Sequence, residues 1–335
     1  MTSEHVDARV YQDEIRPWLP DEIVDIHTHV VLAEHVAPIS PERMAANWAL
    51  EVGIEQSWED LRENYRSLFA DQRVTALAFG GVFQEVDIEA SNSYVLSGAN
   101  DPRNNALGLL VTRPEWDADV IAEAISQGFV GIKPYPDLAP QPTGEVSIFD
   151  FCPRSHLEAL NELKGILMLH LPRAGRLGDA DNIRELVELS ESYPDIKLIV
   201  AHIGRSFCLP TARKGLPSLA KNESVYFDTS ANLNADVFWY AIETVGADRL
   251  LFGSDLPITL MRGVREHIGE EYINHTDAPY SWNTNRKSPE EEAQYTYFLY
   301  EELRALIAAA QRSGIGKAGL EKILYSNGAR LLNRG

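Results

Sequence analysis

Apolar residues along this chain gather in short runs that recur from one end to the other. Eight stand out: IVDIHTHV from Ile23, VTALAFGGVF from Val74, ALGLLVT from Ala106, FVGIKPY from Phe129, ILMLHL from Ile166, KLIVAHIG from Lys197, VYFDTSA from Val225 and LLFGSDL from Leu250. Each has the length of one strand, is rich in branched side chains and stays apolar on both faces, as strands of a parallel sheet do. Between them, segments such as EWDADVIAEAISQG from Glu115 and DADNIRELVELSESY from Asp179 repeat apolar positions at the helical period. Strand and helix alternating in this way predict an α/β fold, and eight repeats predict a closed (β/α)8 TIM barrel. A single domain, 1–335, is expected, with the barrel over about 22–258 and a C-terminal loop and helices over 259–335.

Polar residues interrupt the runs mainly at their C-terminal ends. His27 and His29 close the first, Lys133 the fourth, His170 the fifth, His202 the sixth and Asp255 the eighth. In a TIM barrel these strand ends converge on one mouth. Because strand side chains alternate, His27 and His29 share a face. The same parity puts Ile166 and Met168 inward with His170, Val200 with His202, Leu251 and Gly253 with Asp255, and Asp25 inward beneath His27. One such residue reads most simply as a satisfied buried group, but several at one end would each need a partner. Two stretches exceed a minimal barrel. One lies between His29 and Ser57 and includes Met44 and Trp48; the other lies between Asp255 and Ser288. Long segments at a catalytic mouth are expected to be lids or substrate-binding elements. Beyond them, SPEEEAQYTYFLYEELRALIAAAQR predicts one helix, with Ser288 as N-cap, Pro289 in the first turn and Glu291 three residues after the cap.

Charge then narrows the partners. Thirty basic residues against 50 acidic give a net charge of -20, which disfavours nucleic acid and anionic membranes and leaves a small molecule as substrate. Cys152 and Cys208 are too few for a disulfide framework or a thiolate zinc site. No apolar signal core opens the chain, and no stretch approaches the roughly 18 apolar residues of a membrane span, so a cytoplasmic protein is expected. A homo-oligomer stays open.

A divalent cation at a barrel mouth needs neutral imidazoles and a carboxylate, with a position left for water or substrate. His27, His29, His170 and Asp255 supply that set. Zinc is the first expectation, one ion per chain, although manganese, iron and cobalt accept the same ligands. Such an ion brings the pKa of a bound water to about 7. Basic residues follow the same strands: Arg173, Arg205, Arg262 and Arg265 suggest an anionic substrate, with Lys133, Arg173, Arg205 and Arg262 as its binders; the alternative is that they cap acidic helices. His5, His35, His156, His267 and His275 are expected on exposed or loop positions. Tyr135, Trp282 and Asn283 read as pocket residues or as ordinary packing.

DIHTH on the first strand, LMLH on the fifth, VAHIG on the sixth, FGSD on the eighth and the ending ILYSNGARLL together resemble the amidohydrolase superfamily. They are most similar to its amidohydrolase-related branch, which contains lactonases and nonoxidative decarboxylases similar to aminocarboxymuconate-semialdehyde decarboxylase. The resemblance implies that Asp255 is both metal ligand and proton relay. It implies that His202 handles a proton or supports the ligands, or else binds a second metal. Lys133 matches the lysine that binuclear members carboxylate into a bridge; a free ammonium pairing with a substrate carboxylate and a snorkelling surface lysine are the alternatives. The expected activity is metal-dependent hydrolysis of a small anionic ester, lactone or amide. Metal-dependent nonoxidative decarboxylation of an unsaturated or aromatic carboxylate is the alternative. A small phosphoesterase and a ligand binder without turnover rank behind them.

Overall fold

A computed structural model of the chain describes residues 3–140 and 145–333. The eight apolar runs become eight strands: β1 Glu22–His29, β2 Arg73–Phe79, β3 Ala106–Thr112, β4 Phe129–Pro134, β5 Ile166–Leu169, β6 Lys197–Val200, β7 Val225–Asp228 and β8 Leu250–Leu251. They pair in parallel, in chain order. Residues just beyond β8 return to β1: Ile26 donates to the Phe252 carbonyl (2.9 Å), His29 to Leu256 (2.9 Å) and Asp255 to His27 (2.7 Å). The sheet thus closes on itself as a (β/α)8 barrel.

Side chains of the strands sort into two clusters. Val24, Ile26, Leu77, Phe79, Leu109, Val111, Ile166, Met168, Ile199 and Leu251 fill the barrel. Ile23, Ala78, Leu110, Ile132, Leu167, Leu169, Leu198, Val200, Phe227 and Leu250 pack under the helices. Strict alternation fails at two places. In β1 the register slips, with Asp25 opposite Ala76 but Thr28 opposite Ala78, so three steps on β1 match two on β2. This bulge turns Asp25 outward, where it accepts from Tyr65 Oη (2.7 Å) and Ser254 Oγ (2.5 Å), and then returns His27 and His29 to the interior. In β6 it is Ile199, not Val200, that faces inward; the strand ends at Val200 and a separate turn aims His202.

The N-terminal end of the barrel is plugged. Ala329, Leu331 and Leu332, from the helix Asn327–Leu331 and the residue after it, join the interior cluster, and Lys197 Nζ donates to the Leu331 carbonyl (2.9 Å). Among the described residues, the barrel interior is therefore left open at its C-terminal mouth.

Over that mouth, the stretch after β1 folds into short helices Pro41–Ala46 and Trp48–Val52, and the stretch after β8 into an antiparallel hairpin, β9 Gly263–Ile268 and β10 Glu271–Thr276. The helix expected over 288–312 is two. The capping box of Ser288 and Glu291 starts Pro289–Glu292, and the main helix is Phe298–Arg312. Between them the backbone bonds back to the base of the hairpin, Gly263 N–H to Thr296 (3.0 Å) and Phe298 N–H to Met261 (2.8 Å), which takes it out of helical pairing. His156, expected to be exposed, is buried on the helix Arg154–Glu162, its Nε2 2.7 Å from the Trp116 carbonyl. Among the described residues no helix is long and apolar enough to cross a membrane.

Candidate active site

His27, His29, Lys133, His170, His202 and Asp255 line one cavity of about 360 Å³ at the C-terminal mouth. The orientation of the first two is fixed from behind. His27 Nδ1 lies 2.9 Å from Asp228 Oδ2, and His29 Nδ1 lies 3.3 Å from the Gly80 carbonyl. An ionised carboxylate and a carbonyl only accept, so both Nδ1 atoms carry hydrogen and both Nε2 atoms present lone pairs. These lone pairs face Asp255 Oδ1, at 3.5 Å from His27 and 3.4 Å from His29. Three acceptors converging without a hydrogen between them repel one another, and a divalent cation would satisfy all three. The donor set therefore fits a metal. His170 lies outside this tight group. Its ring centroid is 5.5 Å from that of His202, and its Nδ1 is buried without a hydrogen-bond partner.

Electrostatics assign charge states. Burial lowers the His202 pKa to about 4, more than nearby Asp255 can offset. Its Nδ1–H donates to the Ser230 carbonyl (3.0 Å), which leaves a neutral ring with a free lone pair on Nε2. Asp255 is pushed up by burial but pulled further down, to about 2, where His29 and the surrounding imidazoles carry a proton toward it, a charge that a divalent cation between these groups would replace. Asp228 is likewise held below the usual carboxylate range: burial acts against this, and His27 outweighs it.

Several site residues sit on strained backbone. His202, Ile203, Gly204 and Arg205 have φ of 56°, 49°, 62° and 60°, a left-handed turn, and Ala231 (53°) and Asp255 (54°) are also left-handed. Such a conformation costs about 1–2 kcal/mol per non-glycine residue and persists only where surrounding contacts enforce it. Both ends of the turn, His202 and Arg205, line the cavity. Gly253 lets β8 pass flush against β1, since a Cβ there would stand 2.7 Å from that of His27.

The basic residues divide. Lys133 is fully buried, its Nζ without a hydrogen-bond partner and 4.9 Å from the Phe79 ring centroid, so it is no surface lysine. Burial lowers its pKa to about 8, which still leaves it mostly cationic at neutral pH. Arg205 donates to the Leu171 carbonyl (3.0 Å) and pairs with no carboxylate among the described residues. Arg265 also lines the cavity, stacked at 4.7 Å on Phe207 and 4.5 Å on Tyr272. Arg173 and Arg262 are corrections to the expected ring, because neither lines the cavity. Arg173 is held by Glu185 (2.7 Å) on the helix Ala180–Ser192, and Arg262 by Asp7 and the Tyr295 carbonyl (2.6 Å). Acidic groups on neighbouring elements claim both guanidinium groups first. Asp228 was missed in the sequence, although it ends an apolar run as Asp255 does. Trp48, Phe83, Tyr135, Phe207 and Tyr272 add aromatic walls.

A family model described as amidohydrolase matches residues 24–334. Among curated protein sequences, none matches this chain. Solved structures share the fold at low identity. One is described as a probable 2-pyrone-4,6-dicarboxylic acid hydrolase from Acinetobacter baumannii with citric acid bound; it is 16% identical, with TM-score 0.56 over 93% of this chain and 99% of that one. A 2,6-dihydroxybenzoate decarboxylase complexed with 2,6-dihydroxybenzoate is 14% identical, with TM-score 0.57 over 94% and 100%. A dihydroxybenzoic acid decarboxylase from Polaromonas with bound manganese and 2-nitroresorcinol is 16% identical, with TM-score 0.54 over 94% and 98%.

Proposed function

The chain belongs to the amidohydrolase family, and from that premise we propose that it is a metal-dependent hydrolase of a small anionic ester, lactone or amide. The observation that carries this reading is the convergence of His27 Nε2, His29 Nε2 and Asp255 Oδ1 beside the buried Lys133 and the half-buried Arg205, which have no carboxylate partner among the described residues. His27, His29 and Asp255 would hold the metal, with His170 as the additional ligand. When bound, a divalent ion supplies Lewis acidity and an acidified water. Asp255, anionic at neutral pH, accepts the proton of the attacking water and passes it to the leaving group. His202, neutral and held by Ser230, offers Nε2 as a hydrogen-bond acceptor or base. Lys133 and Arg205 pair with the substrate's anionic group, and the aromatic walls exclude water and suit a flat ring.

Those flat walls also favour a second reading, the nonoxidative decarboxylation of an aromatic carboxylate. The test is a panel of anionic lactones, esters, amides and hydroxybenzoates in ¹⁸O-water, with added zinc or manganese. Hydrolysis places ¹⁸O in the organic product; decarboxylation releases carbon dioxide and leaves that product unlabelled. Unlabelled product accompanied by carbon dioxide would replace the first reading with the second, and turnover insensitive to removal of the metal would sink both.

A further inference from the structure

The turn that follows β7 is a junction on which much of the site hangs. Asp228 takes His27 Nδ1–H on one oxygen (2.9 Å) and, on the other, the His202 N–H (2.8 Å) and Ser230 Oγ (2.5 Å). The Ser230 carbonyl receives His202 Nδ1–H (3.0 Å), and the Ala231 carbonyl receives Arg265 Nη1 (2.7 Å). Residues from β1, from the turn after β6 and from the β9 strand thus take their positions from 228–231. This turn does not hold its shape unaided, since Ala231 is left-handed at φ 53° and an alanine gains nothing from that conformation.

Outside the barrel wall, one side chain holds it. Glu302, on the helix Phe298–Arg312, accepts from Thr229 Oγ1 through Oε1 (2.9 Å) and from the Ala231 N–H through Oε2 (2.9 Å). The side chain is fully buried and makes no direct ion pair among the described residues; Arg265, which feels its charge from further away, is bonded to the Ala231 carbonyl instead. A buried carboxyl without a cation is a liability for stability, and apolar side chains of similar volume fill such positions without that cost. Burial, aided by Asp228 and Asp25, holds its pKa well above the usual range. Neither packing nor a direct ion pair accounts for a glutamate here, but the two hydrogen bonds to the turn do.

We infer that Glu302 is a positioning residue: through Thr229 and Ala231 it fixes the β7 turn, and with it the orientation of His27, His202 and Arg265. One of the two readouts below rests on the metal reading above, and the other is independent of it. Glu302→Met keeps the length of the side chain and removes both acceptors. Glu302→Gln keeps an acceptor for the Ala231 N–H and can donate to Thr229 Oγ1. Imidazole ¹⁵N spectra of chelator-treated protein report the tautomers of His27 and His202, and titration with Co²⁺ alone, followed by visible absorption, reports affinity and ligand geometry. Circular dichroism and melting temperature establish which variants are folded.

Expected are Nδ1–H tautomers at both histidines in the wild type, displaced resonances in Glu302→Met, and Co²⁺ affinity weakened about tenfold or more in that variant. Glu302→Gln should restore both readouts to near wild-type values. If Glu302→Met does not fold, Thr229→Val, which removes one of the two ties, should give the same displacement in smaller measure. A folded Met or Val variant with wild-type imidazole resonances and Co²⁺ affinity overturns the inference, as does a folded Gln variant as impaired as Met. A wild-type protein that takes up no Co²⁺ counts against the metal reading instead, and the imidazole spectra then decide the role of Glu302 alone.

Discussion

Arg173 follows β5 and Arg205 follows β6, yet their guanidinium groups meet different partners. Arg173 and Glu185 form a pair buried on both sides. Arg173→Ala would leave that carboxylate with only the Ile148 N–H (2.8 Å) and the more distant Arg184 (4.0 Å), so unfolding in urea should show a loss of about 1–3 kcal/mol. Arg205 has one protein acceptor and otherwise faces the cavity. Arg205→Ala should lose less stability but weaken inhibition by a small dicarboxylate such as malonate by about ten- to a hundredfold, the worth of hydrogen bonds to a charge. Equal inhibition constants before and after would place substrate recognition elsewhere. Glu302 makes a pH prediction at the same scale. Its folded pKa lies well above the ordinary 4.5, so over that interval the unfolded chain releases a proton that the native state keeps. Stability contributed by this group therefore falls as pH rises from about 4.5 through the folded value. Glu302→Gln lacks that loss, and denaturation curves across pH should show the variant gaining on the wild type toward neutrality.

Short elements decide how the mouth is covered. Arg43, on the helix Pro41–Ala46, reaches Glu85 after β2 (2.8 Å) and Asp137 after β4. Glu51, on the helix Trp48–Val52, accepts from the N–H and Oγ of Ser281 (2.6 and 2.7 Å), and Trp48 meets Trp282 edge-on at 5.8 Å. Residues 41–52 are thus latched to three different loops, with Trp48 facing the cavity. Arg43→Ala should raise deuterium uptake of 41–52 and raise KM with kcat little changed. Unchanged exchange would mean that the contacts on the 280–282 side suffice. The β1 bulge is an element-scale device of another kind: one extra residue puts both histidines on the inner face and frees Asp25 to tie Tyr65 and Ser254 outside. Alternation alone could not place Asp25, because a bulge carries no mark in the pattern of apolar residues.

At the scale of the molecule, the net charge of -20 is a self-repulsion that folding must overcome. Raising sodium chloride from about 20 to about 200 mM shortens the screening length to below about 10 Å and should raise the melting temperature measured by calorimetry. A flat or falling response would mean that exposed pairs such as Arg16 with Asp71, which salt weakens, balance the repulsion. Within that acidic envelope, the cavity gathers Lys133, Arg205 and Arg265, a local reversal of sign suited to drawing in an anion.

What the sequence determined by itself was whatever is periodic and local. The number of strands, their order, and the polar residues that end them follow from the spacing of apolar side chains, since each strand must bury its own. His27, His29, His170, His202, Lys133 and Asp255 were legible for that reason, and they share one cavity. The tertiary structure alone decided which charges are spent on one another. Asp228 stands behind His27 across 201 residues of chain, Glu302 reaches Ala231 across 71, and Arg173 finds Glu185 on the helix that follows it. A carboxylate looks the same in a sequence whether it will orient an imidazole, neutralise an arginine or hold a turn. Its role is set by the group that the fold brings within 3 Å of it, and that depends on closure of the barrel rather than on its neighbours in the chain.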